Sequence, residues 1–202
     1  MRTLVSGLMI LLITFMAYTA NAVSEELKRS DELQEKVQTI QQMRMLLVEQ
    51  TELEKRVLEH EKQIECLAKN MYFEARGERK DGQDAVAFVT INRVRSDRYP
   101  NTICEVVYQA KVDSRGRPLR NKCQFSWYCD GKVDTVYESI YDKLYKRAEF
   151  IYINYYLNNA MEDTTDGATH YHSKSVKPYW SEHVNYQLVA SIGQHVFYQP
   201  TY

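Results

Sequence analysis

The fold is decided around one stretch, Asn70-Met71-Tyr72-Phe73-Glu74-Ala75-Arg76-Gly77-Glu78. It places Glu74 and Glu78 one helical turn apart, where a helix-forming run meets the first glycine in seventy residues. Tyr72 and Phe73 precede Glu74, so aromatic surface can shield that acid from water and raise its pKa. A carboxyl group that holds a proton at neutral pH can give it to a leaving group, as glycosidic-bond cleavage requires. The alternative interpretation is a helix C-terminus with ordinary surface glutamates.

The residues before this stretch predict a long amphipathic helix. Residues 23–69 contain no glycine or proline, and apolar residues recur at three- and four-residue steps, as in Leu33, Val37 and Ile40. The pattern changes phase near Met43, so a regular heptad seam is not sustained. We predict a solvated stalk over residues 23–60 that acts as a spacer or packs against the domain. Coiled-coil self-association is the alternative.

The N-terminus has the pattern of a secretory signal. Met1-Arg2 is positively charged, residues 4–18 are mostly apolar, and Ala20-Asn21-Ala22 has the small-x-small form of a cleavage site. The apolar run is short beside the roughly 20 residues that a membrane-spanning helix needs. We predict a cleaved signal over residues 1–22, with an uncleaved signal-anchor that tethers the protein to the membrane as the alternative. Either form is exported to the periplasm, the cell envelope or the exterior.

Length and charge limit the remaining possibilities. A chain of 202 residues suits one compact domain, predicted over residues 61–202, together with these N-terminal segments. The formal net charge of −1 gives no basic surface of the kind that nucleic acids require.

The four cysteines are consistent with an oxidising compartment, where two disulfides can form. Cys123 and Cys129 can close a small loop, and Cys66 with Cys104 would then tie the helix before Glu74 to the segment after Pro100. Four cysteines allow three pairings, and the sequence does not choose among them. A zinc site is the competing interpretation, although no pair has C-x-x-C spacing.

The second half of the chain predicts short elements of both types. Helices are expected from Asp81 to Val94, from Thr102 to Tyr108 and from Val136 to Asn159, with an exposed loop over residues 111–122. Strands are expected over residues 124–128, 168–172, 187–192 and 195–198, the last two joined by a hairpin at Gly193-Gln194. Helices first and a small antiparallel sheet afterwards indicate an α+β fold.

Taken together, these pieces resemble the cell-wall hydrolase family that includes the spore-cortex-lytic enzymes. The resemblance covers about residues 64–199, in the order of the family. Its motifs are Tyr72-x-Glu74-Ala75-Arg76-Gly77-Glu78, Gly82-Gln83-x-Ala85-Val86-Ala87, Asn92-Arg93-Val94, Tyr99-Pro100-x-Thr102-x-Cys104, Cys123-Gln124-Phe125-Ser126-Trp127, Ala168-Thr169-His170-Tyr171-His172, Pro178-x-Trp180 and Ile192-Gly193-x-His195-x-Phe197-Tyr198.

The resemblance implies a lysozyme-like α+β domain that binds peptidoglycan glycan strands and needs no cofactor. It implies cleavage between N-acetylmuramic acid and N-acetylglucosamine, by lytic transglycosylation, with Glu74 as the catalytic acid. The chemistry agrees, because a tethered muramyl hydroxyl can replace water as the nucleophile, and no second carboxylate is then needed. The alternatives are a hydrolytic muramidase, a metal-dependent wall amidase or peptidase, and a wall-binding scaffold without activity.

Further candidate substrate-binding residues come from three segments. They are Glu78, Gln124, Phe125, Ser126, Trp127, His170 and His172. Gln124 and Ser126 can hydrogen-bond sugar acetamido or hydroxyl groups, with Phe125 facing the core. Trp127 can stack on a pyranose ring or simply pack. The alternative for this segment is a strand with one buried aromatic face.

Two of these candidates have several possible roles. Glu78 can be a second acid, a neighbour that raises the pKa of Glu74, or a structural ion-pair partner of Arg76 or Lys80. His170 and His172 share one face of a predicted strand, where they can line the cleft, form structural hydrogen bonds or bind a metal. We expect no metal, because no H-E-x-x-H or comparable spacing is present. Tyr171, between the histidines, is expected in the core.

Overall fold

The structure is a computed structural model that describes residues 2–201, with side chains described from residue 9 onward. Part of the predicted signal, namely Met1 and the side chains of residues 2–6 and 8, therefore lies outside the described residues. The chain divides into two compact units, Met1–Arg56 and Val57–Tyr202. Among the described residues, no helix is both long enough and apolar enough to cross a membrane.

The first helix, α1, spans Arg2–Ala75 and includes the predicted amphipathic segment. Within the first unit its apolar side chains are exposed, with Leu33 at 55%, Val37 at 52% and Ile40 at 48%. The helix ends where Gly77 follows, as the amide of Arg76 donates to Tyr72 O and the amide of Glu78 donates to Ala75 O.

The second unit contains the last turns of α1 and all of the other elements. The helices are α2 (Lys80–Val94), α3 (Ile103–Val107) and α4 (Glu138–Ile151), which continues into a π-helical segment (Tyr152–Leu157). The strands are β1 (Ala110–Val112), β2 (Pro118–Cys123), β3 (His170–Ser173), β4 (Tyr186–Ile192) and β5 (His195–Pro200). Two 3₁₀ turns lie at Ser126–Cys129 and Tyr179–Glu182.

The sheets are small and antiparallel. Strands β1 and β2 form one ribbon, and a three-stranded sheet has the order β3-β5-β4. The predicted hairpin at Gly193-Gln194 joins β4 to β5, with Ile192 opposite His195. The α+β prediction, with a long N-terminal helix, is confirmed.

The core is formed mainly by helices. Its fully buried members come from α1, α2, α3 and α4 and include Leu67, Met71, Phe88, Ile91, Val106, Val107, Ala148 and Ile151. A second, smaller cluster of Ala85, Val89, Ala168 and Phe197 packs α2 against the three-stranded sheet. Tyr171 of β3 packs against both clusters, so this strand joins the sheet to the helical core.

Both disulfides pair the cysteines as the sequence had allowed. The Cys66–Cys104 bond ties α1 to α3, and the Cys123–Cys129 bond joins two cysteines six positions apart. The second bond also explains a wrong prediction, because residues 124–128 are not a strand. The Cα atoms of Cys123 and Cys129 are 6.0 Å apart, whereas an extended chain would separate them by roughly 20 Å. The segment therefore forms a 3₁₀ turn.

The loop predicted over residues 111–122 is a hairpin instead. Its turn is held by Asp113, whose carboxylate accepts hydrogen bonds from the amides of Arg115 and Arg117. Gly116 lies in the left-handed region with φ of 76°. Most residues of β1 and β2 are exposed, so no alternation of apolar and polar residues indicated strands.

Candidate active site

Glu74 lies in the last turn of α1, where the helix leaves the core. Its carboxylate accepts a hydrogen bond of 2.7 Å from the Tyr171 hydroxyl. Tyr171 is the middle residue of the His170-Tyr171-His172 run of β3, so the contact joins the end of a helix to a strand 97 residues later. The Glu74 side chain is therefore held from the sheet, and the residue is half-buried.

Burial dominates the chemistry of the Glu74 carboxyl group. Desolvation raises its pKa above the ordinary value of 4.5, because a low-dielectric environment disfavours the ionised form. The Tyr171 hydrogen bond and the charge of Arg93 act in the opposite direction. Burial thus favours the neutral form of Glu74, while Tyr171 and Arg93 favour the anion. A group that gives a proton and takes it back must be able to exist in both forms.

The aromatic residues next to Glu74 in sequence have other partners. Tyr72 is 1% exposed, and its hydroxyl accepts from the amide of Tyr137. The Phe73 ring stacks on Trp127 with a centroid distance of 4.6 Å. The aromatic residue that donates a hydrogen bond to the acid is Tyr171.

Tyr171 and Arg93 are the site residues that sequence reasoning missed. Tyr171 was expected in the core, and it does pack there, but its hydroxyl reaches the acid. The available signal was the alternation of a strand, because Tyr171 faces away from the two histidines. Arg93 is 5% exposed and occupies helix α2, most of whose residues are buried, so its signal was a charge within a buried pattern.

Glu78 binds the turn between β4 and β5. Its carboxylate accepts from the amide of Gln194 at 3.1 and 3.3 Å, and Oε1 lies 3.6 Å from His195 Nδ1. The Glu78 side chain is only 10% exposed. These partners take the place of Arg76 and Lys80, which the sequence had suggested. The Arg76 guanidinium lies over the Tyr72 ring instead, 5.1 Å from its centroid.

Two glycines make room for the Glu78 carboxylate. A Cβ atom at Gly82 would lie 2.8 Å from Glu78 Oε2, and a Cβ atom at Gly193 would collide with the same oxygen. Gly193 also has a positive φ of 55°. Glycine at both positions therefore allows the acid to approach the hairpin closely.

The four candidates from Gln124 to Trp127 separate into an exposed pair and a buried pair. Gln124 and Ser126 are exposed. Phe125 is 3% exposed and lies under the Arg93 guanidinium, 4.8 Å from ring centroid to Cζ. Trp127 is 8% exposed, and its indole N–H donates to Asn70 Oδ1 at 3.0 Å. Core packing therefore accounts for the positions of both aromatic rings.

His170 and His172 lie in an aromatic cluster on the other side of β3 from Tyr171. His172 Nε2 is 3.0 Å from the Tyr198 hydroxyl, and both imidazole rings contact the Trp180 ring, at 5.6 and 5.7 Å. Burial first, and then the charge of Arg93, lower the pKa of His170 to about 4. Its imidazole is therefore neutral near pH 7. Among the described residues, no group of three or more His, Cys, Asp or Glu side chains could hold a metal ion.

Comparison with known proteins finds similar sequences and similar solved structures. The spore cortex-lytic enzyme of Bacillus subtilis (strain 168) is 44% identical over 46 residues, which is 23% of this chain and only 15% of that relative. The catalytic domain of the Bacillus cereus SleB protein is 26% identical over 68% of this chain and 89% of its own, with a TM-score of 0.46. The catalytic domain of the germination-specific lytic transglycosylase SleB from Bacillus anthracis is 27% identical over 68% and 93%, with a TM-score of 0.48.

A model of the Cell Wall Hydrolase family matches residues 77–198. The match begins three residues after Glu74 and contains Glu78, Arg93, Tyr171 and both histidines. It covers more than half of the 202 residues. The chain belongs to the cell wall hydrolase family.

Proposed function

We propose that this protein cleaves the glycosidic bond between N-acetylmuramic acid and N-acetylglucosamine in peptidoglycan, by lytic transglycosylation, with Glu74 as general acid and then general base. The observation that carries the proposal is the environment of Glu74. Its half-buried carboxyl has a raised pKa and accepts a hydrogen bond from the Tyr171 hydroxyl. Such a group can be protonated when the glycan binds and can release that proton within the site.

The reaction needs only one carboxyl group. Protonated Glu74 gives its proton to the glycosidic oxygen, and the bond between that oxygen and C1 of the muramyl sugar breaks. The muramyl 6-hydroxyl then attacks C1 and loses its proton to the Glu74 carboxylate. The product is a 1,6-anhydro-muramyl end, and the acid returns to its starting form. Because the nucleophile belongs to the substrate, its effective concentration is high and no base is needed to position water.

The remaining candidates have different parts in this proposal. Gln124 and Ser126 are exposed and can hydrogen-bond the acetamido and hydroxyl groups of the glycan. His170 and His172, with Trp180, offer partly exposed rings on which a sugar can stack.

The other three candidates hold neighbouring segments in place and do not themselves bind the glycan. Phe125 and Trp127 support the Gln124–Ser126 segment from within the core. Glu78 acts on the substrate through the hairpin that it holds.

The N-terminal segments fit a protein that works outside the cytoplasm. We propose residues 1–22 as an export signal or membrane tether, residues 23–60 as a stalk, and residues 61–202 as the catalytic domain. The exposed apolar residues of α1, such as Val37 and Ile40, are where the stalk would associate with another copy or with the wall.

Mass analysis of the products tests the proposal directly. Purified wall glycan is digested with the full chain, and the soluble fragments are weighed. Anhydro-muramyl ends, lighter by one water, are expected. Reducing ends alone would mean a hydrolytic muramidase, whereas intact glycan strands with released peptides would mean an amidase.

Two variants assign the activity to one side chain. Glu74→Gln should abolish cleavage while the protein remains folded. Glu65→Gln is the matched control, because Glu65 lies on the same helix and forms a surface ion pair with Lys69. A fully active Glu74→Gln protein would overturn the assignment.

A further inference from the structure

Arg93 is a buried cation with incomplete hydrogen bonding. Its Nε donates to the Thr169 carbonyl at 2.8 Å, while its Nη1 has no hydrogen-bond partner among the described residues. The rings of Phe125 and Tyr99 cover the guanidinium, with centroids 4.8 and 5.5 Å from Cζ. Burial of a charge without full pairing is costly, and apolar residues of similar volume often replace buried ion pairs without loss of stability. Stability alone therefore does not account for an arginine here.

Arg93 is connected to Glu74 through the start of strand β3. Thr169 is the residue before β3, and Tyr171 follows two positions later with its hydroxyl on Glu74. The hydrogen bond from Arg93 to Thr169 thus fixes the start of the strand that carries the partner of Glu74. The charge of Arg93 also acts directly on Glu74 and on Tyr171.

We propose that Arg93 is a positioning residue for Glu74, which fixes Tyr171 against the acid through Thr169 and supplies the positive charge beside which the Glu74 anion forms. The inference rests on the proposed function, since it concerns the same proton transfer. Glu74 is neutral before it protonates the glycosidic oxygen and negative afterwards. A fixed buried cation stabilises the second form without any rearrangement at the moment of reaction.

The other groups around this cation do not substitute for it. Tyr171 faces Glu74 from β3, and Tyr99 faces Arg93 from the segment after α2. His170 is the nearby basic group on β3, and its pKa of about 4 keeps it neutral at the working pH. Arg93 is therefore the cation whose charge acts on the Glu74 carboxyl.

The test uses the full chain with three substitutions. Arg93→Met removes the charge and keeps similar volume, and Arg93→Lys keeps the charge but changes the bond to Thr169. Arg95→Met is the control, because Arg95 also donates to a carbonyl, of Tyr155 at 2.6 Å, and lies over the Tyr155 ring. Two quantities are measured against pH: the rate of glycan release from purified walls and the ¹³C shift of the Glu74 carboxyl. The Glu74 signal is assigned by its disappearance in Glu74→Gln.

The sign of the expected shift follows from the role of Glu74 as an acid. Activity falls as pH rises through the Glu74 pKa, and Arg93 lowers that pKa. In Arg93→Met the alkaline limb and the carboxyl titration should both move to higher pH by about one unit. Arg93→Lys should keep the wild-type titration with a rate about tenfold lower, because the start of β3 is less well fixed. Arg95→Met should match the wild type in both measurements.

Two results would overturn the inference: the same Glu74 titration in wild type and Arg93→Met, or an Arg93→Lys titration displaced as far as that of Arg93→Met. If thermal melting shows that Arg93→Met does not fold, Arg93→Lys decides by comparison with the wild type. A wild-type Glu74 titration with a lower rate supports the inference, and a Glu74 titration displaced to higher pH or an unchanged rate overturns it. A wild type that cleaves no glycan would instead refute the proposed function. The carboxyl titrations would still test the role of Arg93 in that case.

Discussion

The surroundings of Glu74 and of Glu78 differ in how the carboxylate is bound. Glu74 receives one side-chain hydrogen bond, from Tyr171, and burial raises its pKa. Glu78 accepts from the Gln194 amide with both oxygens and lies beside His195, in a space that Gly82 and Gly193 leave open. Both acids are close to the end of α1, and each is held by a different part of the three-stranded sheet.

This difference teaches which acid can move a proton. A carboxylate that accepts hydrogen bonds from fixed donors serves as an anchor. A carboxyl that is desolvated but sparsely bound can exist in both forms with a small energy difference. The two glutamates are the same residue type and lie one helical turn apart, so their sequence positions do not distinguish them. Their hydrogen-bond partners decide their roles.

The largest expected difference between the two acids is in activity, when each is replaced in turn by the neutral glutamine. Glu74→Gln should lower the rate of glycan release by about a thousandfold or more, because the proton donor is lost. Glu78→Gln should stay within about tenfold of the wild type, since an amide oxygen can still accept from Gln194. The measurement is release of soluble fragments from purified walls. Equal losses in the two variants would mean that Glu78 also takes part in the chemistry.

The effects on folding stability should have the opposite order to the effects on activity, with the larger loss on substitution of Glu78. Glu78→Ala should lose about 2 kcal/mol of unfolding free energy, because hydrogen bonds to a charged group are removed from the hairpin. Glu74→Gln should be more stable than the wild type at pH 7. The folded pKa of Glu74 lies above the ordinary 4.5, so wild-type stability falls as pH rises through that range.

Urea unfolding at pH 7 and at pH 4 measures both effects. The advantage of Glu74→Gln should shrink at pH 4, where the wild-type carboxyl is protonated in the folded and unfolded states alike. An advantage that is independent of pH would contradict a raised pKa.

A smaller change should sharpen the account of Glu74. Tyr171→Phe keeps the packed ring and removes the hydroxyl that favours the Glu74 anion. The fall in cleavage rate on the alkaline side of the pH–rate profile should move to higher pH. The maximal rate should fall about tenfold, because Glu74 is no longer held in its orientation. Tyr198→Phe is the control, because the Tyr198 hydroxyl contacts His172 on the other face of the sheet. An unchanged alkaline side of the pH–rate profile in Tyr171→Phe would show that this hydrogen bond does not influence the titration of Glu74.

The smallest effect should come from the glycine that makes room for Glu78. Gly193→Ala should lower the unfolding free energy by about 1–2 kcal/mol, because φ is positive there and the methyl group meets Glu78. Gly77→Ala is the matched control, since a Cβ atom there would meet no described atom within 4 Å. It should be neutral or slightly stabilising. Equal losses in urea unfolding would remove the special role of Gly193.

Local patterns predicted the elements that depend on local interactions. The long helix followed from residues without glycine or proline, and the β4–β5 hairpin followed from Gly193-Gln194 between two apolar runs. The β1–β2 ribbon was missed because its side chains are exposed, and the 3₁₀ turn was missed because a disulfide bends that segment.

By itself, the sequence determined the α+β class, the end of α1 just before Gly77 and the two acids near that end, because these follow from neighbouring residues. Only the tertiary structure decided which acid is held by Tyr171 and which by the hairpin. The deciding hydrogen bonds join residues 97 and 116 positions apart. Contacts at that separation depend on how the sheet packs on the helices, and no local periodicity records them.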